Sequence, residues 1–219
     1  SAVDATSVID APETAEAVRQ LAAWVQAIRN SGNANRIGLT SIGGNAGDTS
    51  VASLALARHF ANTGKRVAVA DLSRTGSLLE NLSGVSRGPG LAELVSGAAD
   101  FTKVIGRDGQ STVHLLRYGI DRSPATSDLV LDRAERVLAA LSRAYELVIV
   151  NLGEAQHETP VLLHKCEAAL ILAPLQRSSD VTSAVQALLA TGLHAAGHVL
   201  IEKPAVAAKV QPDFSLMSA

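Results

Sequence analysis

The chain has 219 residues, 47% of them hydrophobic, 18% charged and only 3% aromatic, with a formal net charge of −2. That length fits one domain with a substantial core, and the near-neutral balance gives no electrostatic footprint for nucleic acid. No apolar run reaches the roughly 18 residues of a membrane span, and the lone Cys166 excludes an internal disulfide, which suits a reducing compartment and a buried thiol rather than a nucleophile.

Residues 1–12 are small, polar and acidic, unlike a secretion signal, and are expected to form a loose leader before a single domain at 13–203. The opening on Ser1 rather than Met suggests a fragment or processed chain and leaves room for membrane segments upstream. From 12 to 29, Ala15, Val18, Leu21, Ala22, Val25 and Ile28 recur at helical spacing. A short strand is expected over 37–41, opening into the turn Ile42-Gly43-Gly44-Asn45-Ala46-Gly47 and then a helix over 49–63 closed by Gly64. Residues 67–71 form a continuous apolar run of the kind found inside a parallel sheet.

Further on, short helices are predicted near 77–82 and 91–96, a strand over 112–116 and an amphipathic helix over 127–143. Buried strands follow at 147–150 and 168–173, then a helix over 178–191 and a last strand over 198–201. The tail, 204–219, is expected to fray. Strands alternating with helices at this spacing predict an α/β fold of three layers, doubly wound, with a mainly parallel sheet covered on both faces.

The strand, Gly-rich turn and helix at 37–63 can in principle cradle a phosphate, because glycines admit the anion and the helix amino end stabilises it. The working pattern is G-x-x-x-x-G-K-[ST], whose Lys neutralises phosphate charge and whose hydroxyl binds Mg²⁺. Aligned on Gly47, the chain has Ile42 at the first small position, Asp48 in place of the Lys, and Thr49 then Ser50 at the hydroxyl end. At an effective dielectric of about 20, a carboxylate about 4 Å from a phosphate charge costs on the order of 4 kcal/mol. Asp48 suits the first turn of a helix instead, so on this segment alone a plain tight turn before a helix is the better explanation. A dinucleotide turn, with Asp71 on the ribose, fails because Ile42 breaks G-x-G-x-x-G and neither Tyr118 nor Tyr145 starts a Tyr-x-x-x-Lys pair.

Taken in order, the segments resemble the cytoplasmic ATPase-like domain of bacterial tyrosine kinases that pair with polysaccharide chain-length regulators, a branch related to the MinD and ParA ATPases. Glu16-Ala17-Val18-Arg19 looks like that family's E-x-x-R helix, which the resemblance makes a subunit contact through Glu16 and Arg19. The segment 37–50 takes the place of its strand and phosphate loop, 64–74 is similar to its G-K-R-V-L-L-I-D-A-D-L-R stretch, 88–97 to its P-G-L-x-x-x-L-x-G stretch, and 145–151 to its Y-D-Y-V-I-I-D strand. The departures fall on the chemistry. The loop Lys is Asp48; the first acid after the second strand is kept as Asp71, but the second is Ser73; the Mg²⁺-associated Asp is Asn151, a weaker ligand for a hard cation. The tail carries no tyrosine to phosphorylate.

The resemblance therefore implies a catalytically degenerate domain, with no cofactor, acting in exopolysaccharide or capsule synthesis, chain-length control and export. Its partners would be further copies or a membrane co-polymerase or kinase at the inner face of the cytoplasmic membrane. Gly43, Gly44, Asn45, Ala46, Gly47, Asp48, Thr49 and Ser50 would be a vestigial nucleotide loop, and Asp71, Ser73 and Asn151 vestigial acid positions. One alternative is an enzyme that still binds ATP and Mg²⁺, with Lys65, Arg66 or Arg74 compensating for the missing Lys. Another is a MinD- or ParA-type positioning ATPase, for which 206–217 is a poor membrane-seeking helix, broken by Pro212. The scattered His59, His114, His157, His164, His194 and His198 fit no zinc spacing. Glu154 and Glu158 read as a solvated loop, and Ser123, Ser178 and Ser179 as loop or helix-start hydroxyls.

Overall fold

A computed structural model describes residues 12–32, 34–43, 46–73, 78–120, 128–156, 159–202 and 209–211. The elements, in chain order, are α1 (Pro12–Gly32), β1 (Arg36–Ser41), α2 (Ala46–Asn62), β2 (Val67–Asp71), α3 (Leu78–Ser83), α4 (Leu91–Ser96), α5 (Phe101–Val104), β3 (Ile105–Arg107), β4 (His114–Leu116), α6 (Asp128–Ala144), β5 (Leu147–Glu154), α7 (Thr159–Leu163), β6 (Ala168–Pro174), a 3₁₀ turn (Leu175–Arg177), α8 (Ser178–Ala190), β7 (Ala195–Glu202) and β8 (Lys209–Gln211).

The strands form one sheet in the order β3-β4-β2-β5-β1-β6-β7-β8. The six inner strands are parallel, and each edge strand is antiparallel to its neighbour. The expected three-layer, doubly wound α/β architecture is thus the one present.

Strand periodicity divides the core cleanly. Ile37, Leu39, Val67, Val69, Leu147, Ile149, Leu170 and Leu172 face α1, α2 and α3. Ala68, Ala70, Val148, Val150, Ala169, Ile171 and Ala173 face α4, α6, α7 and α8. Because successive side chains point to opposite faces, a strand buried on both sides must be apolar throughout, as 67–70, 147–150 and 168–173 are.

Several boundaries differ from the sequence expectation. Helix α2 starts at Ala46, inside the segment read as a turn, because Ala46 to Ser50 close a regular first turn with Asp48 as its acidic residue. The strand expected over 112–116 is only His114–Leu116, and β3, α5 and α7 were not anticipated. Strand β7 begins three residues early, at Ala195. Within the stretch expected to fray, Lys209–Gln211 pairs with β7. The leader's first eleven residues and most of the tail lie outside the described residues.

Candidate functional site

The order β2-β5-β1-β6 makes β1 the point where the chain reverses direction across the sheet, and in such sheets ligand sites gather at the carboxyl ends of the strands. Ser41, Asp71 and Asn151 stand at or near those ends of β1, β2 and β5. All three share the α2 side of the sheet, in phase with Ile37 and Leu39, Val67 and Val69, and Leu147 and Ile149.

Parallel register sets Asp71 directly beside Asn151. Asn151 Nδ2 donates to Asp71 Oδ1 at 3.0 Å, with longer contacts to Ser50 Oγ at 3.3 Å and Ser73 Oγ at 3.4 Å. Ser73 donates twice to the same oxygen, from its backbone N–H at 3.0 Å and its hydroxyl at 2.6 Å. Asn151, Asp71, Ser73 and Ser50 are all buried. Asp71, Ser73 and Asn151 therefore form one hydrogen-bonded network, joined to α2 through Ser50.

Beyond Asn151 the strand bulges. Leu39 pairs with Asn151, but Ser41 pairs with Glu154, so β5 carries an extra residue there. Gly153 takes φ +68°, a left-handed conformation that costs little without a Cβ. Its N–H donates to Asn151 Oδ1 and its carbonyl accepts from Thr40 Oγ1, so the bulge holds the amide of Asn151 in place.

No cation faces Asp71 among these hydrogen-bond partners, all of them neutral donors. Burial raises its pKa from an ordinary 3.8 to about 6, against the lowering effect of the Ser73 and Asn151 hydrogen bonds, and the Glu80 carboxylate adds to the rise. Glu80 is itself buried, with Oε2 lacking a hydrogen-bond partner and Arg87 Nε 4.0 Å away. Sequence reasoning missed Glu80, since nothing in its local pattern distinguishes it from an ordinary helix acid.

The remaining loop residues behave unevenly. Asp48 is half-buried in the first turn of α2, where the helix dipole favours a negative charge, and Thr49 and Ser50 are buried behind it. Gly43 has φ +62°, and a Cβ there would meet Arg177 Nε at 2.6 Å, so the Arg177 side chain lies across the start of the loop. Arg177 also pairs with Asp180 at 3.4 Å. Gly44 and Asn45 lie outside the described residues, and Ala46 is described only in its backbone.

Lys65 and Arg66, expected as compensating cations, are at the wrong end of the molecule. They precede β2, and Arg66 meets Glu146 just before β5, whereas the loop follows the far end of β1. The reason is parallel topology, which puts residues preceding a strand and those following it at opposite edges. Arg74, His157, Glu158 and Ser123 are outside the described residues, and the described residues hold no cluster of His, Cys, Asp or Glu suited to a metal. Cys166 is buried, its pKa pushed up to about 12 by desolvation, which leaves it an inert thiol.

Glu16 and Arg19 form an exposed ion pair one turn apart on α1, with Gln20 donating to the same carboxylate. Arg19 also borders a groove of about 520 Å³ between α1 and α2, lined by Ala22, Gln26, His59, Phe60 and Lys65. Within one chain this pair is an ordinary solvated contact. Among the described residues, no helix is long and apolar enough to cross a membrane.

No protein-family model matches the chain, and a comparison with curated proteins gives no match. Solved structures do. The kinase domain of the Escherichia coli tyrosine kinase ETK superposes with a TM-score of 0.77 at 25% identity, covering 92% of this chain and 79% of that one. The VpsO kinase domain gives 0.73 at 20% identity, covering 87% and 95%. The cell division ATPase MinD of Pyrococcus furiosus gives 0.61 at 21%, covering 76% and 71%. The fold is that of the P-loop domains of bacterial tyrosine kinases and MinD ATPases.

Proposed function

We propose that the chain is a catalytically silent, tyrosine-kinase-like domain that acts through protein contacts in the synthesis and export of a surface polysaccharide. The supporting observation is the hydrogen-bonded network at Asp71. The fold implies Mg²⁺ and ATP, and the donor set does not suit them. A hard divalent cation wants anionic oxygens, but Asn151 offers an amide N–H to Asp71, and Ser73 adds two more donors to the same oxygen. The carboxylate that remains is one whose pKa burial has raised to about 6. At the loop, Asp48 puts a negative charge where an attracting Lys is needed. Phosphoryl transfer rests almost wholly on positioning and charge neutralisation, so these substitutions remove its basis together.

The role in polysaccharide export rests on the sequence resemblance and on the likeness to the ETK and VpsO kinase domains. Isothermal calorimetry with Mg-ATP tests the silent site. The expected result is no saturable heat. A dissociation constant tighter than roughly 100 µM, about 5.5 kcal/mol, would overturn the reading.

One observation favours a second reading, in which nucleotide still binds without turnover. Arg177 places a guanidinium against Gly43 and could stand in for the missing Lys. If Mg-ATP does bind, Arg177→Ala should abolish the heat; binding that survives this change would leave the cation unexplained.

A further inference from the structure

The edge of the sheet at β3 carries a feature unrelated to the Asp71 network. Two open cavities, of about 390 and 380 Å³, lie on either side of Phe101, a ring left 36% exposed on the four-residue helix α5. The first runs along β3 itself, lined by Ile105, Gly106 and Arg107 with His114 from β4. The second lies between α4 and α6, lined by Leu94, Val95 and Val137 with Arg133 and Arg136. Neither is lined by a carboxylate among the described residues, and Lys103 stands next to them at the end of α5. Among the described acids, Asp100 lies 3.6 Å from Lys103, and α6 carries Asp132 and Glu135, the latter paired with Lys165. A chain with net charge −2 thus lines the two cavities beside this exposed ring with three arginines, and with no carboxylate among the described residues.

The surface is held in place from behind. Arg133 donates to the Val95 carbonyl at 2.7 Å, tying α6 to the end of α4. Arg117 donates to the Lys103 carbonyl at 2.7 Å and to Ser86 and Pro89 carbonyls, tying α5 to the loop before α4. Tyr145 and His114 share a hydrogen bond of 2.9 Å behind the first cavity. Preorganisation of this kind lowers the ordering cost of binding.

We propose that this edge is the docking surface for an extended acidic segment of a partner protein. Among the described residues strand β3 ends the sheet, and its outer backbone groups face no further described strand. A segment added there as an antiparallel or parallel strand would gain main-chain hydrogen bonds, with alternate side chains roughly 7 Å apart. Apolar side chains of the segment fill the cavities beside Phe101, and its carboxylates meet Arg107, Arg133 and Arg136. The basic lining selects for acidic partners, and the two-cavity spacing selects for an extended chain over a compact anion. The surface deepens the proposal that the domain works through protein contacts, yet it lies apart from the Asp71 network and does not require that site to be silent.

The test uses the whole chain and a fluorescein-labelled decapeptide alternating glutamate with valine, followed by fluorescence anisotropy. Expected is saturable binding that weakens about tenfold between roughly 50 and 300 mM salt, and that drops at least about tenfold in Arg136→Glu and in Phe101→Ala. Hydrogen exchange should slow at 105–107 on adding the peptide. Arg107→Glu supplies a second charge reversal, on a side chain whose hydrogen bond goes to the Ser111 carbonyl of its own turn, should another variant fail to fold. No binding, equal binding of a lysine–valine peptide, or unchanged affinity in all three variants would overturn the proposal. So would equal binding of oligogalacturonate with the same variant dependence, which would make the patch a general polyanion surface. Calorimetry with Mg-ATP reads the other site separately, so either result can fail without the other.

Discussion

Two buried aspartates occupy opposite ends of the same sheet and are treated in opposite ways. Asp108, in the turn between β3 and β4, has its side chain fully buried and meets Arg58 of α2 as a fork, Oδ2 to Nε at 2.9 Å and Oδ1 to Nη2 at 2.7 Å. Ser111 donates a further hydrogen bond, and Arg58 also reaches the Leu82 carbonyl. Asp71, at the carboxyl end of β2, has among the described residues neutral donors from Ser73 and Asn151 alone, and the charge it feels from Glu80 is repulsive. One carboxylate is neutralised by the scaffold. The other meets no counter-charge among the described residues, so burial leaves its charge uncompensated there.

The comparison breaks most visibly at Asp108. Asp108→Ala leaves the Arg58 guanidinium buried and unpaired, and should cost about 3–5 kcal/mol in urea denaturation. A loss below about 1 kcal/mol would mean that water reaches Arg58 and that the pair is not structural.

At Asp71 the expected sign reverses. A folded-state pKa raised from 3.8 to about 6 means that its contribution to stability is complete below about pH 4 and lost as pH rises through about 6. The group should therefore cost up to about 3 kcal/mol at neutral pH. All three hydrogen bonds fall on Oδ1, and an amide oxygen can accept the same three. Asp71→Asn should stabilise the chain at pH 7 and flatten the decline between pH 4 and 6. Destabilisation at pH 7 would refute the uncompensated charge.

A smaller effect is expected from Asn151→Asp, which sets a second carboxylate beside the first. It should lower stability by about 2 kcal/mol without metal, and millimolar Mg²⁺ should recover part of the loss through binding to the folded state. No Mg²⁺ response, even with Ser73→Asp added, would show that the geometry as well as the charge has been lost. Least of all should change in the double variant Glu16→Ala/Arg19→Ala. These side chains are exposed, so the denaturation midpoint should stay put, while sedimentation should show a smaller particle if α1 is an assembly contact. An unchanged mass would remove Glu16 and Arg19 from that role.

The parts of this arrangement legible in sequence were those with a strong local signature. The apolar runs at 67–71, 147–150 and 168–173 announce central strands because both faces are covered, and α1 shows its buried stripe from Val18 to Ile28. Strand β3 and helix α5 escaped because three or four residues are too few to show a period, and β8 because its pairing depends on β7 rather than on its own composition. Asp71, Ser73 and Asn151 could be marked as positions in an ordered series of segments. Their hydrogen bonding could not, because residues 71 and 151 become neighbours only through the β2–β5 register. Arg177 escaped for the same reason, being brought to Gly43 by the return of β6 beside β1. The misplacement of Lys65 and Arg66 shows that closeness in sequence to a strand says little until the strand's direction is known.

The central place of β1 also bears on how the chain reaches its native state. Its two partners, β5 and β6, begin at Leu147 and Ala168, more than a hundred residues downstream. No strand made before then can hydrogen-bond to Ile37 or Leu39, and β2 likewise waits for β4 and β5. During synthesis β2 therefore has no native sheet partner until β4 is made, and β1 none until β5 is made, well past the middle of the chain. Such non-local pairing is intrinsically slow. Nascent chains halted before Leu147 should leave β1 without a native partner and be protease-sensitive there, with protection of β1 arising only once β5 is made.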